Sequence, residues 1–201
     1  MHRPQFGRMW VPVVVLTLFG LAGIFANGQT TAQPLERLTA PEEEKVKRAV
    51  EKLAAVNIRA VTLEFTGSFE SVAQHIDELE KELQAQKLDT GVRDNAVGIL
   101  ILREDPTGKS AFRMAVGVEV QGRRAEPKAP LKIEEIRRPQ AVRYTHVGSY
   151  KKLEGVYHGV RKHSKSSLRK ETEWPVVLRL LNDPRKVGAD KARTEMVVGL
   201  R

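Results

Sequence analysis

A few side chains of this sequence could contact a ligand, and aromatic residues and one histidine are foremost among them. Tyr144 and His146 alternate along a run typical of a β-strand, so both side chains point to one face of the sheet. The two could line a groove, or His146 could be a hydrogen-bonded residue of the core. Tyr150 follows on an apolar helical stripe, where core packing is the alternative. Trp174 precedes Pro175 at a predicted strand start, and it could form the floor of a groove or close the core.

Other kinds of chemistry find no support in the motifs of the sequence. The chain has no cysteine, which excludes disulfides and cysteine-ligated metal sites. None of the spacings that metal sites use occurs among the five histidines, which are His2, His75, His146, His158 and His163. The sequence contains no nucleophile elbow, phosphate-binding loop or dinucleotide-binding glycine motif. We therefore expect a protein that is not an enzyme and that needs neither a metal nor another cofactor.

Hydrophobic periodicity predicts the elements that would position these residues. The first half of the chain reads as helix, strand, helix and hairpin. The predicted elements are a helix over Pro41–Ala49, a strand over Ile58–Phe65, a helix capped by Ser68 and ended by Asp89–Gly91, and a hairpin of strands Ala96–Glu104 and Ala111–Val120. Residues Val50–Val56 fit either a helix or a strand.

The second half of the chain repeats this order. A strand-like run over Leu131–Val147, interrupted at Pro139, is followed by a helix capped by Ser149 and by strands over Trp174–Leu181 and Arg193–Leu200. Short identities recur in the same order: Gly67-Ser68-Phe69 is echoed by Gly148-Ser149-Tyr150, 81 residues later (148 − 67), and Asp105-Pro106 by Asp183-Pro184.

The two halves together predict an α+β fold of two tandem strand-helix-strand-strand modules related by a pseudo-twofold axis. Each module would contribute antiparallel strands and one main helix. A unit of about 60 residues buries too little surface to be stable alone, so the modules are expected to share a core. A groove between them is where a small-molecule site is expected. The domain would span residues 45–201, with modules at about 45–120 and 131–201.

The first 28 residues are typical of a signal peptide or an N-terminal membrane anchor. Arg3 and Arg8 precede the uncharged, apolar run Val11–Ala26, which is predicted as a helix, and small residues suitable for cleavage follow. The run is shorter than the roughly 20 residues of an ordinary membrane span, so cleavage and anchoring both stay open. Residues 29–44 are predicted to form a linker. We expect export, with the chain either membrane-anchored through its N-terminus or secreted or periplasmic.

The net charge of +9 indicates either an anionic partner or simple solubility. Because Lys and Arg are spread along the whole chain and form no single stripe, we expect no nucleic-acid partner. The densest basic run, Arg161–Lys170, could contact anionic lipids or be a solvated helix end.

The second half carries a family resemblance. The segments "AVRYTHVGSYKKLEGVY" and "WPVVLRLLNDPRKVGADKARTEMVV" resemble the GyrI-like small-molecule-binding family, which includes effector-binding domains of AraC-type and MerR-type activators. Its pattern is matched by His146, Gly148, Tyr150, Pro175, Leu181, Asn182, Asp183, Pro184, Arg193, Thr194 and Glu195. The resemblance covers roughly Ile58–Leu200 and implies a small-molecule partner and a pair of strand-helix-strand-strand modules.

The sequence departs from the family at two positions that bear on the ligand. The family's binding glutamate would fall at Leu178 and its tyrosine at Leu180, and both residues are apolar here. The resemblance therefore implies a groove for an apolar or amphipathic ligand in place of a cation, lined by Tyr144, His146, Tyr150, Trp174, Leu178, Leu180 and Glu64. Glu64 could supply the missing carboxylate from the first half or face solvent. The alternatives are a membrane-tethered module with an occluded groove that binds protein or lipid, and a small-molecule hydrolase that depends on Glu64.

Overall fold

The computed structural model describes residues 38–88, 98–120 and 126–201. The predicted apolar helix, the signal or anchor segment 1–28 and the predicted helix end at Asp89–Gly91 lie outside these residues. Within the part of the chain that is described, no helix is long and apolar enough to span a membrane.

Three main helices form where apolar stripes recur at helical spacing. They are α1 (Ala40–Ala49), α2 (Val72–Ala85) and α3 (Leu153–His163), with a short α4 (Pro184–Val187) after the seventh strand. Single turns of 3-10 helix precede α2 at Phe69–Ser71 and α3 at Tyr150–Lys152, and a π-helical turn, Ser164–Leu168, extends α3.

The helix predicted over Pro41–Ala49 is confirmed as α1, which occupies the end of the segment predicted as linker. It begins at Ala40 because the Glu42 carboxylate accepts hydrogen bonds from the Thr39 backbone N–H (2.8 Å) and hydroxyl (2.9 Å). The start of α2 differs from the prediction. Ser68 was expected to cap α2, but α2 begins only at Val72. The Ser68 hydroxyl instead donates to the Glu70 carboxylate (2.8 Å).

In the part of the chain that the structure describes, eight strands form one antiparallel sheet, which confirms the α+β class, although the sequence predicted more than one sheet. The strands are β1 (Glu51–Leu53), β2 (Val56–Gly67), β3 (Gly98–Leu102), β4 (Phe112–Glu119), β5 (Lys132–Arg138), β6 (Ala141–Val147), β7 (Thr172–Leu180) and β8 (Arg193–Leu200). Their order across the sheet is β1-β6-β8-β7-β3-β4-β2-β5. The ambiguous segment Val50–Val56 therefore contains β1 and the first residue of β2.

The sheet curls until its two edges meet, because two short links connect strands at opposite edges. Ala54 and Ala55 join β1 to β2, and Pro139 and Gln140 join β5 to β6. Strands β1 and β2 are first and seventh in the order, yet only Ala54 and Ala55 separate them along the chain. Three peptide steps reach at most about 11 Å. Leu53 lies opposite Ala141. Val56, three residues after Leu53, lies opposite Arg138, three residues before Ala141. The strand pairs β1–β6 and β2–β5 are therefore one antiparallel ribbon that keeps a single register.

The curl gives the sheet two unlike faces. The outer face carries α1, α2 and α3 over a large apolar core. Within the described residues the inner face carries no helix, yet the side chains of Ile58, Ile99 and Ile101 are at most 1 % exposed. Adjacent strands pack closely here: a Cβ on Gly117 would lie 2.7 Å from the Val61 carbonyl oxygen of the neighbouring strand β2. The core is thus shared by all strands, and the outer face alone is covered by helices.

The first helix packs on α3, on the outer face. Val46 is buried against Gly159, where an added Cβ would lie 3.2 Å from a Val46 methyl group. Lys152 donates to the Glu42 carboxylate (3.0 Å) and Lys162 to that of Glu43 (2.7 Å), so ion pairs hold α1 along the length of α3.

Candidate functional site

The two leucines that replace the family's polar pair lie in the middle of the sheet on its outer face. Leu178 and Leu180 are 0 % and 1 % exposed, and Leu178 lies opposite Leu100 on β3. They belong to one buried cluster with side chains from both α2 and α3, including Ile76 and Tyr157. The structure therefore places an apolar floor beneath α2 and α3, and side chains of these two helices cover it.

Aromatic side chains stand at both ends of this floor, and Tyr157 and Trp174 form what we call its aromatic end. The Tyr157 ring is buried, and its centroid lies 5.0 Å from that of Trp174, with an interplanar angle of 44°. Trp174 is partly buried against the same cluster, and its carbonyl oxygen accepts a hydrogen bond from Arg138 Nη2 (2.7 Å). Tyr150 lies at the opposite end, near Thr194 and Asp183, where it is partly buried, and burial raises the pKa of its hydroxyl to about 12.

The predicted pair Tyr144 and His146 lies on the outer face, on the side of α3 that α1 covers. Both side chains are buried, and burial raises the pKa of Tyr144 and lowers that of His146. Glu42 of α1 raises the Tyr144 pKa further. The His146 Nε2–H donates to the Ser149 carbonyl oxygen (3.2 Å). The pair is therefore held beneath α1 and near the corner that leads into α3.

Glu64 does not meet the two leucines. Its neighbours Leu63 and Phe65 pack against the outer core, so strand alternation turns Glu64 to the opposite face. Its half-exposed carboxylate lies 2.9 Å from Lys132 Nζ and 3.1 Å from Arg103 Nη2. The hydrogen bond from Lys132 is the main reason that its pKa is lowered. The structure thus separates Glu64 from the apolar floor.

The turn after β7 contacts α2 through a fully paired arginine. Arg185 Nε and Nη2 each donate to the Asp183 carboxylate at 2.9 Å, and Nη1 and Nη2 donate to that of Glu80 at 3.0 and 2.8 Å. Asp77 is a third carboxylate partner. Because Arg185 donates to Asp183 from both its side chain and its backbone, the pKa of this buried carboxyl is lowered. We call this set of residues the arginine contact.

The turn between β3 and β4 contacts α3 through weaker polar groups. The Thr107 hydroxyl donates to Asp105, and His158 Nε2–H donates to the Thr107 oxygen (2.8 Å). Arg161 Nη1 lies 3.8 Å from the Asp105 carboxylate, and its side chain is half exposed. We call this set, with Glu154, the threonine contact.

Glu154 is the functional candidate that sequence reasoning missed. Its side chain is only 8 % exposed, and Oε1 lies 3.7 Å from His158 Nε2, beyond hydrogen-bond distance. Oε2 is buried without a hydrogen-bond partner among the described residues. Burial is the main cause that raises the pKa of this carboxyl, and Asp105 raises it further. The available signal was its place at the edge of the α3 stripe, four residues before His158.

A metal is not indicated by the described residues, since none of their histidine, aspartate and glutamate side chains form a group of three placed to hold an ion. Among the described residues, the candidate chemistry consists of apolar contact, aromatic contact and the buried Glu154 carboxyl, whose Oε2 is unpaired.

A family model described as a GyrI-like small molecule binding domain matches residues 49–201. No curated protein sequence matches the chain.

Among solved structures, the EcmrR C-terminal domain is similar, with a TM-score of 0.59 and 14% identity over 76% of this chain and 96% of that one. The EcmrR–DNA complex gives 0.60 and 14% over 80% and 62%. A hydrolase encoded by lin2189 from Listeria innocua gives 0.54 and 12% over 80% and 97%. At such identities the likeness shows the fold alone.

Proposed function

This chain belongs to the GyrI-like small molecule binding domain family, and from that premise we propose that it binds an apolar or amphipathic small molecule between α2 and α3 without transforming it. The observation that carries the proposal is the floor of Leu178 and Leu180, which presents no charge from β7 toward the helices. Apolar contact stabilises a complex by about 25 cal/mol per Å² removed from water, so such a floor favours hydrocarbon over a charged ring.

The rim of the floor supports the same conclusion. Tyr150 and Trp174 pack against the floor cluster while keeping part of their surface exposed. An aromatic side chain with one apolar and one wet side suits an amphipathic molecule. Side chains from α2 and α3 cover the floor, so the two helices must part slightly when a ligand enters.

We propose further that the groove lies between two related modules. In support, the strand order β1-β6-β8-β7-β3-β4-β2-β5 stays the same, read backwards, when β1–β4 are exchanged with β5–β8. The echoed Gly-Ser-aromatic segments, at Gly67 and at Gly148, stand directly before α2 and α3.

A purely binding role is supported by the position of Glu64. A hydrolase that used this acid would need it beside the bound ligand, whereas Lys132 and Arg103 hold Glu64 on the inner face of the sheet. Export with membrane anchoring or release is part of the proposal too, and it rests on the sequence of residues 1–28 alone.

The proposal predicts that 1-octanol, a neutral amphiphile, raises the melting temperature of the full chain, because a ligand that binds only the folded state stabilises it. Leu178→Ala should cost about 2–5 kcal/mol of stability and leave a cavity beneath the helices. Octanol should then stabilise this variant more than the parent chain, since it can fill the cavity.

The matched control is Val177→Ala on the same strand. Val177 is also buried but faces the inner side of the sheet, so this variant should lose stability without gaining any response to octanol. Circular dichroism melts measure both effects. If octanol shifts neither the parent chain nor Leu178→Ala, the proposed function is wrong.

A further inference from the structure

Glu154 lies on the side of α3 that faces the first half of the chain, at the β3–β4 turn. Gly159 and Lys152 mark the side of α3 that α1 covers. At 100° per residue, Glu154, His158 and Arg161 share the opposite side, one step from the buried stripe that includes Tyr157. The Glu154 carboxyl therefore lies between α3 and the β3–β4 turn, next to the aromatic end of the apolar floor.

One oxygen of this carboxyl lacks a hydrogen-bond donor. His158 and the Thr107 side chain both act to lower the pKa of Glu154, and His158 Nε2 lies 3.7 Å from Oε1, but Oε2 has no hydrogen-bond partner among the described residues. Asp105 adds a second negative charge nearby, and the Arg161 guanidinium that pairs with Asp105 lies 3.8 Å from it. A buried carboxylate oxygen without a donor costs free energy that the fold does not recover by itself.

The carboxyl has no counterpart on α2. The offset of 81 residues that relates Gly67 to Gly148 pairs Glu154 with Ala73, which is exposed. A structural need common to both helices would be met on both, and α2 packs without such a group. The acid is therefore specific to the site between α3 and the β3–β4 turn.

We propose that Glu154 is the polar contact of the ligand site, and that the ligand class is an amphiphile with a primary or secondary amine head. This inference rests on the proposed function, which supplies the apolar part of the site. An ammonium N–H donates to the unpaired Oε2 and offsets the local negative charge, while the hydrocarbon chain packs along the floor beside Tyr157. A quaternary ammonium head carries the charge but has no N–H, so it leaves Oε2 unpaired.

The experiment compares three probes that share an eight-carbon chain: octylamine, octyltrimethylammonium and 1-octanol. Titration calorimetry on the full chain at pH 7 should show octylamine binding about tenfold more tightly than octyltrimethylammonium, the scale of one charge-assisted hydrogen bond. Glu154→Gln should remove this preference and leave the affinity for octanol within about twofold.

Glu171→Gln is the matched control, because Glu171 is a half-exposed acid paired with Lys165 and lies outside the threonine contact. It should keep the octylamine preference. Equal affinity of the parent chain for the two charged probes overturns the inference, whether or not Glu154→Gln folds. Octanol binding with no amine preference refutes the role of Glu154 alone, whereas no binding of any probe refutes the proposed function as well.

Discussion

The arginine contact and the threonine contact occupy related places but differ in how completely their charges are paired. Each joins a hairpin turn to a helix from the other half of the chain: Arg185 contacts α2, and Thr107 contacts α3. At the arginine contact the guanidinium meets three carboxylates, and the buried Asp183 is fully hydrogen-bonded. At the threonine contact the buried acid, Glu154, keeps an oxygen without a partner.

The difference separates a contact built for stability from one that leaves capacity for binding. Paired buried charges resist opening, since removing one partner leaves the other uncompensated. A half-paired carboxyl lowers the free-energy cost of separating the turn from the helix, because a new donor can hydrogen-bond to its unpaired oxygen.

The largest expected effect is the difference in stability lost when the arginine of each contact is replaced. Arg185→Leu should lower the free energy of unfolding by about 2–3 kcal/mol, because it strips the buried Asp183 of its guanidinium. Arg161→Leu should cost less than about 0.5 kcal/mol, since this side chain is half exposed and 3.8 Å from its partner. Urea unfolding of both variants measures the difference, and equal losses would show that the two contacts do not differ in strength.

The next effect is pH-dependent and has opposite signs at the two contacts. The pKa of Asp183 is lowered from 3.8, so its contribution to stability is present above that pH and is lost as the pH falls below it. The pKa of Glu154 is raised from 4.5, so the folded state holds this proton more tightly than the unfolded chain. Stability is therefore lost as the pH rises above 4.5.

Glu154→Gln should remove that second loss. At pH 7 the variant should be more stable than the parent chain by about 1 kcal/mol, the scale on which a poorly paired buried polar group costs stability. At pH 4 the two should unfold alike. Thermal melts across pH 4–7 test this, and a variant that is less stable at pH 7 would contradict the assignment of Glu154 as the weak point of the threonine contact.

The smallest expected effect is the coupling within the threonine contact. A double-mutant cycle with Thr107→Val and His158→Gln should give a coupling energy of about 0.5 kcal/mol, because the hydrogen bond is exposed. The same cycle with Asp183→Asn and Arg185→Gln should give at least about 1.5 kcal/mol. Similar values would mean that exposure does not set the strength of these contacts.

The sequence predicted most elements because each is encoded by local periodicity. Strand β8 has the predicted bounds, Arg193–Leu200, and the hairpin of β3 and β4 formed where the Asp105-Pro106 turn indicated. The family resemblance located the residues now found beneath the helices, of which Leu178 is the clearest case.

What the sequence could not predict depends on contacts between distant segments. The curl of the sheet follows from pairing β2 with β5, and no local pattern records it. Glu154 was missed because a polar residue at the edge of an apolar stripe normally faces solvent. A turn almost fifty residues earlier in the chain, at Thr107, is what covers it. Glu64 was placed with the floor because strand alternation alone does not say which face the helices cover.

The ribbon formed by β1–β6 and β2–β5 has a consequence for folding cooperativity. Each half of the chain lends its leading strand to the other: among the described strands, β1 pairs with β6 alone and β5 with β2 alone. The halves thus resemble a domain-swapped dimer whose two subunits are joined in one polypeptide. If either half unfolds, the other loses the partner of its exchanged strand, so we expect the domain to unfold as a single cooperative unit. A ligand held between the helices would therefore stabilise both halves at once.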